Sequence, residues 1–375
     1  HKHKVVGIRN SPSKTAMSVA SIPAAMSVAS IPVIDMSPWL QEGQCGRADV
    51  VSKLSSAVLS HGIFAVVGHG IPEELIAGSL EASKEALEKA EMEDWARLEA
   101  EVTLREPNAL PNFSCDENVG RGYNGDPTAP KESVSKFTVF PPCWDSDPTL
   151  LKGYNNIWPS TNSGQAMRGP LEDYFREVQR VSDALHRALS ECLGRPSTFV
   201  DESLKPHTEG LLRACRYHCN EENANTDPAL AAHKDLGTTT LLVSDAPGLQ
   251  FLPRGSDVWV DVVLPPGAVI VNLGEFFEIW TGGAWRATPH RVSPAGRRGR
   301  TSLVFFSNQG LRRYQDGCKT INRIIEPLSD TASDANVESW QGVRSFAGEV
   351  HASVAWPAFW YERLNTLMQF RKGGA

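Results

Sequence analysis

The sequence predicts an α+β fold, with an α-rich N-terminal part and a C-terminal part of short strands that closes as a sandwich or barrel. Two observations carry this expectation. Apolar residues recur at helical spacing in 47–60 and 171–193. From about residue 211 to 310 the pattern changes to short β-branched runs separated by Gly and Pro, which is how sandwiches and barrels read.

Taken in order, residues 1–30 stand outside the fold. His1-Lys2-His3-Lys4 looks like a tag remnant, and the eight residues from Ala16 to Pro23 recur verbatim from Ala25 to Pro32. This segment is expected to be a tag or disordered leader. Val33-Ile34 opens as a short strand. Arg47 to Ser60 carries Val50, Val51, Leu54 and Val58 at helical spacing. Ile63 to Val67 is a β-branched and aromatic run that reads as a buried strand. Pro72 sits at a helix start, and the Ala-, Glu- and Leu-rich stretch to Glu101 continues it. Residues 105–165 read as irregular. Leu171 to Leu193 is amphipathic, with Phe175, Val178, Leu185 and Leu189 near one stripe. Strands are expected at Thr238 to Val243, Val258 to Val262, Ala268 to Asn272 and Ser302 to Ser307. Residues 320–375 are less regular, with Trp356 to Arg371 as a final helix.

Composition narrows the function. A chain of 375 residues with 41% hydrophobic content is long enough for a large core. A net charge of −7 and the lack of a basic run disfavour a nucleic-acid surface. No stretch approaches the roughly 18 apolar residues of a membrane span. The seven cysteines are scattered without C-x-x-C spacing, the closest pair being Cys215 and Cys219. Neither a disulfide framework nor a zinc site is expected, and reduced thiols fit a cytoplasmic location.

The chemistry concentrates in one pattern. His233 and Asp235 lie two positions apart, so on a strand they share a face. One such pair alone is weak. His290, in Thr288-Pro289-His290-Arg291-Val292, would complete two imidazoles and one carboxylate, a set that holds divalent iron and leaves coordination positions open. Ten residues further, Arg300 and Ser302 again have strand spacing. A guanidinium beside a hydroxyl forms a carboxylate clamp. A metal face beside such a clamp points to a bidentate organic acid between them.

Here the sequence resembles a known family. Arg216-Tyr217, the His233/Asp235 pair, Gly237 to Leu242, Gly248-Leu249-Gln250, Asn272 to Glu275, Trp280 to Gly283, His290-Arg291-Val292 and Arg300 to Phe306 occur in family order. Ile31 to Asp35 and Gly62 to Pro72 resemble the N-terminal domain of the same branch. Together they resemble the 2-oxoglutarate- and iron(II)-dependent dioxygenases, in the branch of isopenicillin N synthase.

The resemblance implies a double-stranded β-helix, the jelly roll of cupin-like proteins, with flanking helices. It implies an N-terminal dioxygenase region over 31–165, a catalytic jelly roll over 166–320 and a C-terminal extension over 321–375 that closes over the barrel. His233, Asp235 and His290 would be the catalytic metal ligands for Fe(II). 2-Oxoglutarate would chelate the iron and reach Arg300, Ser302 and Tyr217, with O2 as second cosubstrate and ascorbate as a candidate reductant. Oxidative decarboxylation would release succinate and carbon dioxide as a small molecule is hydroxylated, desaturated or cyclised in specialised biosynthesis. Arg121, Tyr123, Trp158, Arg216 and Phe306 are candidate substrate contacts. Alternation points Lys234 away from the iron, with a solvated lysine expected. His69 and Asn272 are expected to be supporting residues. Two alternatives stay open: an Fe(II) oxidase of this fold that does not use 2-oxoglutarate, and a ligand-binding relative without turnover. The expected assembly is a monomer or weak homo-oligomer, without nucleic-acid or membrane partners.

Overall fold

Alternation along the strands after residue 210 sorts side chains into two environments, and this sorting builds the molecule. A computed structural model describes residues 31–41, 46–88, 122–124, 134–142, 156, 158–159, 161–204, 210–218, 229–235, 237–293, 299–307, 324–325 and 354–355. In chain order the elements are β1 (Val33–Asp35), α1 (Ser37–Leu40), α2 (Arg47–Ser60), β2 (Ile63–Val67), α3 (Glu73–Glu88), β3 (Gly122–Asn124), β4 (Val134–Val139), α4 (Asn162–Cys192) and α5 (Phe199–Leu204). There follow β5 (Leu211–Tyr217), β6 (Leu230–His233), β7 (Thr239–Ser244), β8 (Leu249–Phe251), β9 (Val260–Asp261) and β10 (Val269–Leu273). The remainder are α6 (Glu275–Trp280), β11 (His290–Val292), β12 (Arg300–Phe306), β13 (Ile324–Ile325) and β14 (Val354–Ala355).

Strands β5 to β12 form the jelly roll. One sheet has the order β1-β2-β10-β7-β12-β5-β4-β3, and the facing sheet has the order β6-β11-β8-β9. From β5 to β12 sequence neighbours therefore fall in opposite sheets, apart from the adjacent pair β8 and β9, as in a double-stranded β-helix. The N-terminal region is joined to the same sheet, because β2 pairs antiparallel with β10 and β4 pairs antiparallel with β5.

The two faces of the large sheet carry different cores. Leu212, Ala214, Leu241, Val271, Leu303 and Phe305 point outward and pack with the helices. Cys215, Tyr217, Leu242, Ile270 and Val304 point inward and meet Phe251, Val260 and Val292 of the small sheet. Each fully buried Leu, Val or Phe stabilises by about 1.5–3 kcal/mol, so the alternation fixes the register.

Helix α4 supplies most of the outer cover. It begins at Asn162, nine residues before the expected start, with Thr161 capping the Gly164 N–H at 3.1 Å. Pro170 inside it interrupts the sequence signal, since proline removes a helical donor. The Pro170 carbonyl also accepts a bond from Ser79 of α3 at 3.0 Å.

Strands β3 and β4 correct the expectation of an irregular 105–165. Val134–Val139 is a short run inside loop-like composition, and its pairing with β5 across a long gap in sequence gives it strand form. Strand β5 agrees with the strand expected to lead to Tyr217, whereas helix α6 went without a separate sequence signal. The leader over 1–30 and the final helix over 356–371 lie outside the described residues.

Candidate metal centre

His233 ends β6 and His290 opens β11, and the two are direct cross-strand partners. Their rings lie 4.3 Å apart between centroids. Asp235, two residues beyond β6, reaches both: its carboxylate is 3.8 Å from His233 Nε2 and 3.6 Å from His290 Nε2. One ligand atom from each of the three falls within 4.8 Å of the others.

The backbone around Asp235 is held by the corner between β10 and α6. The Glu275 N–H donates to the Asp235 carbonyl at 2.7 Å, and the Gly274 N–H donates to the Thr238 carbonyl at 2.9 Å. A Cβ at Gly274 would collide with the Gly237 carbonyl, so the close approach needs glycine there.

The tautomers suit metal ligation. Nδ1 of His233 lies 2.9 Å from the Ala231 carbonyl, and Nδ1 of His290 lies 3.0 Å from the Thr288 carbonyl. A carbonyl only accepts, so each Nδ1 carries the proton and each Nε2 keeps its lone pair facing Asp235. Burial, reinforced by neighbouring His290, pushes His233 down to about 4, which keeps its ring neutral at physiological pH. The Asp235 Oδ2 atom is buried with no hydrogen-bond partner among the described residues. An orphaned carboxylate oxygen between two imidazole lone pairs fits a divalent cation and is costly without one.

A second group of unsatisfied atoms lies along the same interior wall. Arg300 is 1% exposed and inward-facing, with its guanidinium 5.3 Å over the Tyr217 ring. Nε of Arg300 donates to the Ala246 carbonyl at 3.2 Å. Nη1 and Nη2, like the buried Ser302 Oγ, have no well-formed hydrogen bond with the described protein. Gly248 leaves room beside this arginine, since a Cβ there would sit 3.5 Å from Arg300 Cδ. Two guanidinium donors and a hydroxyl buried without partners fit a carboxylate ligand. Burial raises the Tyr217 phenol above its ordinary value, so it stays protonated and can donate.

Comparison with known proteins agrees with this geometry. Residues 208–309 match the 2OG-Fe(II) oxygenase superfamily, and residues 31–105 match the N-terminal region described as non-haem dioxygenase in morphine synthesis. The 2-oxoglutarate-dependent dioxygenase caaD of Aspergillus niger is 27% identical over 278 residues, covering 70% of this chain and 79% of that protein. Gibberellin 3-beta-dioxygenase 2-1 of Triticum aestivum is 30% identical over 259 residues, covering 65% of this chain and 63% of that one. The chain belongs to the 2-oxoglutarate- and iron(II)-dependent oxygenases. Among solved structures, a full-length Neurospora crassa protein in complex with alpha-KG and thymine shares the oxygenase's fold, with a TM-score of 0.66, 18% identity and coverage of 90% of this chain and 97% of that one. JOX2 in complex with 2OG, Fe and JA has a TM-score of 0.57 and 22% identity, over 76% of this chain and 77% of that one.

The oxygenase brings together His233, Asp235 and His290, and on the adjoining wall Arg300, Ser302, Tyr217 and Phe306. Other expectations need correction. Lys234 is not solvated: its Nζ is buried and bonds both Glu278 oxygens, at 3.2 and 2.9 Å. Glu278 Oε2 also accepts the Ala287 N–H at 3.1 Å. One carboxylate thus ties the residue between two ligands to the segment leading to the third.

Arg216 does not face the pocket. It pairs with Glu88 of α3 and donates to Thr301 Oγ1 at 3.2 Å, on the helix side of the sheet. Trp158 also lies on that side, with its ring 5.2 Å from Phe137, so it is not a barrel wall. Tyr123 pairs with Phe137 through the β3 backbone, and Arg121 lies outside the described residues. His69 is structural as expected: its Nδ1 accepts from the Ile71 N–H at 3.1 Å and its Nε2 donates to Gly267 at 2.7 Å.

Sequence reasoning missed Glu278, Thr240 and Arg213 here, and gave Asn272 only a supporting role. Glu278 is invisible without the Lys234 contact. Asn272 and Thr240, opposite one another on β10 and β7, face inward with buried side-chain polar atoms that lack partners among the described residues. Arg213 shares a face with Tyr217, and counting back two pairs of residues along β5 could have found it.

Proposed function

We propose that the protein oxidises a small organic molecule at an iron(II) held by His233, Asp235 and His290, coupled to decarboxylation of 2-oxoglutarate to succinate. The observation that carries the residue assignment is the paired set of orphans: Asp235 Oδ2 at the triad, and Arg300 Nη1, Nη2 and Ser302 Oγ on the adjoining wall. Each set lacks the partner that the family's metal and cosubstrate would supply.

When bound, iron(II) supplies the activation of dioxygen that the side chains cannot perform. The residues do the rest. His233 and His290 present neutral Nε2 donors, fixed by their bonds to Ala231 and Thr288. Asp235 supplies the anionic donor. Arg300 and Ser302 receive the far carboxylate of 2-oxoglutarate, and the Tyr217 hydroxyl donates beside them. The apolar seam of Leu249, Phe251 and Val292 excludes water from that end. The named relatives favour a small-molecule substrate to be hydroxylated, desaturated or cyclised.

The test is stoichiometric. The purified chain with Fe(II), 2-oxoglutarate and ascorbate should release succinate in an oxygen-dependent reaction, and His290→Ala should abolish it. Substrate oxidation with oxygen uptake but no succinate would instead favour the oxidase that does not use 2-oxoglutarate.

A further inference from the structure

One row of the barrel's inner face carries polar side chains that the proposed cosubstrate does not reach. Asn272 of β10 and Thr240 of β7 are direct cross-strand partners. Each stands two residues from an inner-core residue, Ile270 and Leu242, while Val271, Leu273 and Leu241 belong to the outer core. Alternation therefore turns both side chains inward. Asn272 is 1% exposed and Thr240 is 2% exposed. Asn272 Nδ2, Asn272 Oδ1 and Thr240 Oγ1 are all buried without a hydrogen-bond partner among the described residues.

The sheet itself cannot satisfy these atoms. On the inner face Asn272 is flanked by Ile63 of β2, by Ile270 along its own strand and by Thr240. Thr240 is flanked by Leu242 along β7 and by Phe306 of β12. The two polar groups lie opposite each other, yet no hydrogen bond joins them. The outer face at the same end behaves differently. Thr239 Oγ1 donates to Ser307 Oγ at 3.1 Å, and Ser307 Oγ lies 2.6 Å from Ser182 Oγ. The fold thus completes the buried hydroxyls that face the helices and leaves the inward pair open. Buried polar atoms are ordinarily paired, so an orphaned cluster calls for an occupant.

Position separates the pair from the Arg300 clamp. Thr240 pairs with Phe306, and Ser302 lies four residues from Phe306 on β12. That distance is about 13 Å along a strand. The inner row between them is apolar on β10, β7 and β12, with Ile270, Leu242 and Val304. In the other direction, β10 runs from Asn272 into the corner where the Glu275 N–H holds the Asp235 carbonyl. The pair therefore adjoins the backbone that positions a metal ligand. The far carboxylate of 2-oxoglutarate would lie toward the opposite end of the sheet.

We infer that Asn272 and Thr240 form a subsite for a neutral substrate group that presents a carbonyl beside an N–H, as a lactam does. This rests on the function proposed above and names the substrate class for that site. Neither side chain carries charge, so the two select by hydrogen-bond pattern. A carboxamide offers a donor and an acceptor side by side and pairs with an edge of the opposite order. The lactam carbonyl has two lone pairs, one for Asn272 Nδ2 and one for the Thr240 hydroxyl. The lactam N–H donates to Asn272 Oδ1. All the orphaned atoms of the pair are then satisfied. A lone hydroxyl oxygen cannot face both ends of the carboxamide at once. Phe306, beside Thr240, gives the substrate ring an apolar contact.

The experiment uses the full chain loaded with Zn(II) and 2-oxoglutarate, which binds without turnover. Calorimetry compares oxindole with N-methyloxindole, and isoindolinone with its N-methyl derivative. In at least one pair the lactam should bind about ten-fold or more tightly, because methylation leaves Asn272 Oδ1 unpaired. Asn272→Leu should abolish that preference, whereas a preference caused by methyl bulk would persist in it. Thr240→Val should weaken both members of the pair by about three- to ten-fold, since both carry the carbonyl. The 2-oxoglutarate affinity should move by less than about three-fold in both variants. The ligand-free chain gives a second readout. Thr240→Val deletes an unpaired buried hydroxyl at nearly constant volume, so its urea midpoint should hold or rise. A lower midpoint would show the hydroxyl bonded within the fold and would overturn the subsite. So would equal or absent binding of lactam and N-methyl forms in both pairs, a preference intact in Asn272→Leu, or affinities unmoved by Thr240→Val. If Asn272→Leu does not fold, Asn272→Ala decides by the same ratio. Failure of 2-oxoglutarate to bind the Zn(II)-loaded parent would instead defeat the proposed function, and this is read before any lactam is added.

Discussion

Arg216 and Arg300 occupy neighbouring strands one register step apart, yet they have opposite surroundings. Arg216 points to the helices, where its two terminal nitrogens bond Glu88 and Thr301. Arg300 points inward and keeps two donor atoms without well-formed partners. The same contrast runs along both strands. The outward positions hold Leu212, Ala214, Leu303 and Phe305, whereas the inward ones hold Arg213, Tyr217, Arg300 and Ser302. The outer face is closed by the protein itself, while the inner face keeps polar capacity for something the protein does not supply. Orphaned buried polar atoms cost about 1–3 kcal/mol each, and on strands β5, β7, β10 and β12 all of them but Arg216 Nε lie on the inner face.

The largest effect should come from the inner face at the triad. His290→Ala removes one of three donors, and Co(II) affinity should fall by at least about 100-fold, since even losing a supporting contact costs 10–100-fold. Co(II) titration followed by absorption checks this. Undiminished affinity would mean that the triad is not the metal site and that the contrast between faces has another cause.

Lys234 tests the outer side of the same segment. It alternates with both ligands but points away, into a buried pair with Glu278. Lys234→Met leaves that carboxylate uncompensated, and breaking such a pair costs about 3–5 kcal/mol. Glu278→Gln added to it should recover most of the loss, because the amide oxygen can still accept from Ala287. Urea unfolding of the metal-free chain reads the cost. A neutral Lys234→Met would show that the pair contributes nothing and that the outer face is less settled than it looks.

The two arginines give the sharpest comparison. Arg300→Gln should weaken 2-oxoglutarate binding by about 2–4 kcal/mol, roughly 30- to 1000-fold, as expected for losing a buried charge partner. Arg216→Gln should leave that affinity within about three-fold and lower the melting temperature instead. Equilibrium dialysis with labelled 2-oxoglutarate and a thermal melt separate the two. If both variants lost affinity equally, the division between faces would fail.

How far the sequence revealed this division depends on the range of the interaction. His233 and Asp235 were legible because strand alternation is local, and the Arg300/Ser302 pair was legible for the same reason. Alternation also turned Lys234 away from the metal correctly. It could not reveal what covers Lys234, because Glu278 lies 44 residues away. Arg216 was misassigned although the rule was available: with Tyr217 inward, its neighbour must point outward, and Arg213 must share the inner face. Lys136 was beyond reach for another reason. Its place in the barrel depends on β4 pairing with β5, a contact 79 residues apart at the Lys136–Cys215 register. Trp158 was assigned from a motif whose surroundings do not alternate, so its direction had no local signal.

Trp158 should therefore give the smallest effect, and it probes the outer face where chemistry is not expected. Its ring packs on Phe137, its indole N–H has no partner among the described residues, and Arg168 lies 5.8 Å over it. Trp158→Phe keeps an aromatic ring and deletes a donor with no partner among the described residues, so packing volume and a weak cation–π contact are what is lost. Stability should fall by about 1 kcal/mol, read by denaturant midpoint, with 2-oxoglutarate and Zn(II) affinities unchanged. A change in cosubstrate affinity without loss of stability would place Trp158 on the pocket wall and move the boundary between the two faces to the other side of β4.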